Sequence, residues 1–255
     1  EKDFVSGLSA LRQAVTFFPN NVETRVVSKR MINEFSSIYT DGTADSMTPL
    51  TALSMYDQFR ELTPVGRRGD RIIQRLADRL VEVDLLDRAS VLLDRQVKFR
   101  LRGKQKAIVG SKLALIRLLD RQPRLALDAL NESVSPGLDS RLALERKRLR
   151  SRGVFELGDS ESALKLIKND DSRKADLLRA DIYWRTQDWQ RSALIYKRLI
   201  GETGKDGRRL SDLSATLVVN WVVSLSMNGQ KDKLNEARQI YAAMMDSTRY
   251  REAFR

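Results

Sequence analysis

The stretch ADRLVEVDLLDRA, residues 77–89, sets Ala77 and Ala89 12 residues apart around a short polar break at Val83-Asp84. Two helices joined by a tight turn approach closely only where their facing side chains are small. One small residue on each side of a break is therefore the mark of a helix pair. The same spacing returns as Ala114 and Ala126, Ser151 and Ala163, and Ala180 and Ser192. Ala52, Ala89, Ala126 and Ala163 recur at a constant step of 37 residues. Larger side chains flank the small pairs: Leu80 with Leu93, Leu118 with Leu130, Val154 with Ile167, and Tyr183 with Tyr196. The breaks between them, Asp120 to Pro123, Gly158-Asp159 and Gln187-Asp188, carry the turn and N-cap residues such a connection needs.

Working outward, helical periodicity predicts helices over 4–18, 22–39, 49–62, 69–83, 85–99, 104–119, 123–132, 140–156, 160–167, 173–186, 189–200, 212–227 and 233–245. With only 13 Gly and 5 Pro, little interrupts them. Loops are expected at 40–48 and 201–209. The expected fold is all-α: a right-handed α-solenoid of antiparallel helix hairpins with about five to six repeats. We read residues 1–255 as one solenoid, with irregular helices over 1–48, regular repeats over 49–200 and a C-terminal hairpin over 210–255.

Composition removes most common chemistries. The chain has no cysteine and no histidine, which excludes disulfides, thiolate or imidazole metal sites, and a Ser-His-Asp triad within these residues. No catalytic residue, metal or cofactor is expected. The segment GETGKDG at 201–207 lacks the spacing of a phosphate-binding loop and follows a helix rather than a strand. The net charge of +12 favours acidic partners, whether protein, nucleic acid or an anionic surface. No apolar run approaches the roughly 18 residues of a membrane-spanning helix. The chain opens Glu1-Lys2-Asp3 straight into an amphipathic pattern, and we read it as an excised part of a longer protein.

Ala180, Tyr183, Asp188-Trp189, Ser192 and Tyr196, and again Ala52, Tyr56, Phe59 and Pro64, resemble the tetratricopeptide repeat. The step of 37 exceeds that family's usual period of about 34, and its first-helix Trp and Gly are mostly missing. The runs YDQFRELTPVGRRGDRIIQRLADRLVEV (56–83), VDLLDRASVLLDRQV (83–97) and RADIYWRTQDW (179–189) also resemble the C-terminal part of large alphaproteobacterial tetratricopeptide proteins. That resemblance implies a bacterial protein of the periplasm or cell envelope rather than the cytoplasm.

The tetratricopeptide resemblance further implies a concave groove lined by first helices. Counted from the small residues, Arg71, Gln74, Asp78, Ser111, Leu115, Arg148, Arg152, Phe155, Asp181 and Trp184 would face it. Arg148 and Arg152, four apart on one face, are expected to clasp a carboxylate. Trp184 is expected to anchor an apolar side chain. The expected function is a non-catalytic scaffold that binds an acidic or extended protein segment, or another part of the parent chain. Two alternatives stay open. One is nucleic-acid binding through the basic clusters 67–79, 98–106 and 146–152, although aromatic residues for stacking are scarce there. The other is a helical module of a larger regulatory protein or enzyme.

Overall fold

A computed structural model describes residues 4–18, 22–201, 203 and 209–254. Among them the fold is all-helical, with no strand. The helices are α1 (Phe4–Phe17), α2 (Val22–Thr40), α3 (Pro49–Gln58), α4 (Arg67–Glu82), α5 (Leu86–Phe99), α6 (Gly103–Leu119), α7 (Pro123–Glu132), α8 (Ser140–Glu156), α9 (Ser160–Leu166), α10 (Arg173–Arg185), α11 (Trp189–Ile200), α12 (Asp212–Met227), α13 (Lys231–Met245) and α14 (Arg251–Phe254). Short 3-10 turns occupy Thr43–Ser46 and Arg60–Leu62. The first lies inside the expected 40–48 loop, where Gly42 turns the chain with φ 86°. The second ends the expected 49–62 helix early. Most of the 201–209 loop, including the GK pair, lies outside the described residues.

The chain divides into two units, Glu1–Leu142 and Ala143–Arg255. In the first, α1 packs on α2, α2 and α3 on α4, and then α4 on α5, α5 on α6 and α6 on α7. Phe35, Tyr39 and Tyr56 form an aromatic cluster there, and Tyr39 Oη donates to Ala52 O at 2.8 Å. In the second, α9 packs on α10, α10 on α11, α11 on α12, and α12 on α13. Trp221, Tyr241, Leu225 and Met245 anchor its C-terminal core.

The small residues that the sequence singles out are all buried: Ala52, Ala77, Ala89, Ala114, Ala126, Ser151, Ala163, Ala180 and Ser192. The pair 151/163 touches directly, because Ser151 Oγ donates to Ala163 O at 2.7 Å.

One turn geometry recurs after α4, α6, α8, α10 and α12. Asp84, Arg121, Gly158, Gln187 and Gly229 each adopt positive φ, between 56° and 98°. At each, the residue's own N–H bonds the carbonyl three back, and the next N–H bonds the carbonyl five before itself. Asp84 to Val81 with Leu85 to Leu80 is one case, and Gln187 to Trp184 with Asp188 to Tyr183 another. This is the Schellman closure of a helix C-terminus, which satisfies carbonyls the helix leaves open. A left-handed residue carrying a Cβ costs about 1–2 kcal/mol. Arg121→Gly and Gln187→Gly are therefore expected to raise unfolding free energy by roughly 0.5–1 kcal/mol, after the flexibility glycine adds to the unfolded chain. Gly158→Ala should lower it by a similar amount. Urea denaturation of the three variants checks both signs.

Two of the helices downstream of these turns, α9 and α11, start on side-chain caps. Asp159 accepts from Ser162 N, and Asp188 from Arg191 N. Ser172 and Ser211 cap α10 and α12 in the same way.

Candidate functional site

Helix α4 buries Ile72, Ile73, Leu76, Ala77 and Leu80 at helical steps. That leaves Arg71, Gln74 and Asp78 on the opposite side. Together with Tyr39 and Thr40 of α2 they line a cavity of about 420 Å³. Three of the groove positions read from the sequence are thus brought together around one concavity. No hydrogen bond or ion pair engages Arg71 or Gln74 among the described residues. Asp78 pairs with Lys112 of α6. Leu115, 47% exposed, follows Lys112 by one helical turn. Ser111 departs from the expectation: it is buried, its hydroxyl donates to Ala107 O at 2.8 Å, and it offers no open surface.

The neighbouring arginines of α4 point to the chain itself. Arg75 pairs with Asp45, and Arg79 donates to Ala44 O at 2.6 Å and Met47 O at 2.5 Å. Arg67 and Arg68 lie in the first turn of α4. Both are exposed and unpaired among the described residues.

In the second unit the expected open guanidinium groups are occupied from within. Arg148 donates to Asp170 Oδ2 at 2.6 Å and to Ser172 Oγ at 3.4 Å. Arg152 bridges Glu156 at 2.7 Å and Asp181 at 2.5 Å. Arg185 forks onto Glu156 at 2.8 and 3.1 Å and lies over the Phe155 ring, 4.4 Å from its centroid. Phe155 itself is buried with Ala163 and Ile182. Trp184 is half-buried, edge-on to Trp189 at 5.4 Å and to Tyr196 at 6.0 Å. Arg148, Arg152, Phe155, Asp181 and Trp184 therefore knit α8, α10 and α11 together. A partner would have to displace carboxylates already in place.

Two of these carboxylates, Glu156 and Asp170, are held in the charged form. Hydrogen bonding from Arg185 lowers the Glu156 pKa. Burial pushes Asp170 up, but hydrogen bonds from Ser172 and Arg148 outweigh it and the pKa falls. Asp94 follows the same balance through Lys98 and Arg117. A folded pKa below the unfolded value gives stability that is present above the unfolded pKa and is lost as pH falls through the folded one. The urea midpoint should stay flat from neutral pH to about 5 and drop below about 4, where free carboxyl groups titrate. An unchanged midpoint on acidification would contradict these assignments.

A buried charge cluster escaped the sequence reading. Arg179 donates to Asp176 Oδ1 at 2.6 Å and caps α9 through Ile167 O and Lys168 O. Asp176 also accepts from Arg198 Nε at 2.7 Å. The signal was available: Arg179 stands one helical step from both Ala175 and Ile182, on the apolar stripe of α10.

No group of three or more metal-binding side chains occurs among the described residues, and none of their helices is long and apolar enough to cross a membrane. No family model matches the chain, and no curated protein matches it.

Proposed function

We propose that the chain is a non-catalytic binding scaffold, a tetratricopeptide-like right-handed solenoid of helix hairpins that holds an acidic or extended protein segment. The recurrence of one Schellman turn between buried small-residue pairs supports the repeat reading. The observation that carries the binding reading is the α2–α4 cavity, where Arg71 and Gln74 stand unpaired. A guanidinium without a partner in a concavity is ready to take a carboxylate by two parallel hydrogen bonds. Gln74 supplies donors and an acceptor for an extended backbone. Leu115, exposed on α6 one helical turn beyond the Lys112 that pairs with Asp78, offers an apolar contact.

Arg148 and Arg152 take the role of internal braces in this reading, and the contact surface moves to α4 and α6. Much of the basic charge is spent inside the molecule, on Asp45, Asp70, Asp94 and on backbone carbonyls. That favours a localised protein contact over a phosphate-tracking strip.

A fluorescein-labelled hexaglutamate peptide tests the reading by anisotropy. Binding should weaken about tenfold in Arg71→Glu. Equal affinity in the variant would reject the site, as would tighter binding of a single-stranded oligonucleotide with a steep salt dependence.

A further inference from the structure

A second cavity, of about 450 Å³, opens on another side of α4. Ile72 lines the α2–α4 cavity, whereas Ile73, rotated by one residue, lines this one. Its walls are Tyr56 of α3, Arg60 of the following 3-10 turn, and Leu92, Arg95, Gln96 and Phe99 on one face of α5, with Arg100 just beyond. Three arginines line it and no carboxylate does. Arg100 is fixed from behind, through Nε to Asp70 Oδ1 at 3.0 Å and through a second nitrogen to Pro64 O at 2.6 Å. Arg60 and Arg95 are exposed and have no partner among the described residues.

One further feature narrows the ligand. Phe99 stands at the rim with 78% of its surface exposed, above a floor of Ile73, Leu92 and Tyr56. Gln96 is fully buried; its Nε2 donates to Asp70 O at 3.0 Å, and its Oε1 has no hydrogen-bond partner among the described residues. That oxygen is closed off from solvent and takes no direct part in contacting a ligand.

We infer that this α3–α5 cavity is a second binding site, for a peptide segment that places an acidic side chain beside an aromatic one. The carboxylate meets the forks of Arg60 and Arg95, and the aromatic ring packs on Phe99 and the apolar floor. A nucleic acid matches less well, because a single exposed ring gives no run of stacking platforms. The site shares no polar side chain with the Arg71 cavity and stands or falls separately from it.

The test uses a labelled, end-blocked peptide of sequence Glu-Glu-Trp-Glu-Glu titrated into the whole chain. Arg60→Glu with Arg95→Glu should weaken binding about tenfold, and Phe99→Ala roughly fivefold, while Arg124→Glu, exposed and outside both cavities, leaves it unchanged. All three positions are exposed, so the fold is retained. Matched thermal melts confirm that, and Arg60→Gln with Arg95→Gln provides a milder version of the same loss. Three results would overturn the inference: no binding to the wild-type chain, equal affinity of the arginine or Phe99 variants, or equal affinity of Glu-Glu-Gly-Glu-Glu. Tighter binding of a single-stranded oligonucleotide through the same arginines would also overturn it.

Discussion

Asp176→Ala is expected to lower the unfolding free energy by about 3 kcal/mol, the usual cost of breaking a buried ion pair from one side. Asp176 and Arg179 are both buried on α10. Removing the carboxylate leaves a guanidinium out of water with only the α9 carbonyls as acceptors. It also releases Arg198 from α11, which matters little because that side chain is 58% exposed and rehydrates. The consequence should be cooperative, since the same cluster ties α9, α10 and α11. Arg198→Ala should therefore be mild and Asp176→Ala severe. Adding Arg179→Met to Asp176→Ala should recover part of the loss, because the uncompensated charge goes with it. Chemical denaturation of the two single variants and the double variant checks the order. Equal effects at Asp176 and Arg198 would show that burial does not set the cost.

Gly110→Ala is expected to destabilise by about 2 kcal/mol, although alanine alone favours a helix interior by about 1 kcal/mol. Gly110 lies within α6, where it meets the C-terminal end of α7. A Cβ there would overlap Oγ and Cβ of Ser133 and come within 3.3 Å of Ala129 O. Ser133 is itself buried, with its hydroxyl donating to Ala129 O at 2.5 Å, so it has nowhere to turn. The two helices would have to separate. Ser133→Gly should cost less on its own and should relieve Gly110→Ala when the two are combined. Additive losses in that double-mutant cycle would place the strain elsewhere.

How far the sequence reveals this molecule follows from these two sites. The alanines at a step of 37 and the turns at Asp84, Arg121, Gly158 and Gln187 are local signals, because a short side chain or a breaker acts within one helix pair. Gly110 is one helical turn before Ala114, yet its role depends on Ser133, which lies 23 residues further along the chain. The charged residues were harder still. Arg148 and Arg152 read as a pair open to a partner's carboxylate because they share a helical face, but Asp170 and Asp181 reach them from later elements. Arg71 and Gln74 do line a cavity, and their place on the polar side is legible because α4 is strongly divided between an apolar and a polar side. The α3–α5 cavity was invisible, because its arginines come from separate elements and carry no spacing of their own.

The most direct test of the scaffold reading places a photo-crosslinking amino acid at Gln74, at Leu115 or at Val65 and irradiates the cells that make the protein. Val65 is 92% exposed but belongs to neither cavity, and so reports chance encounters. The account predicts the same discrete protein adduct from positions 74 and 115, lost with Arg71→Glu, and none from position 65. Adducts from all three alike, or from none, would contradict it.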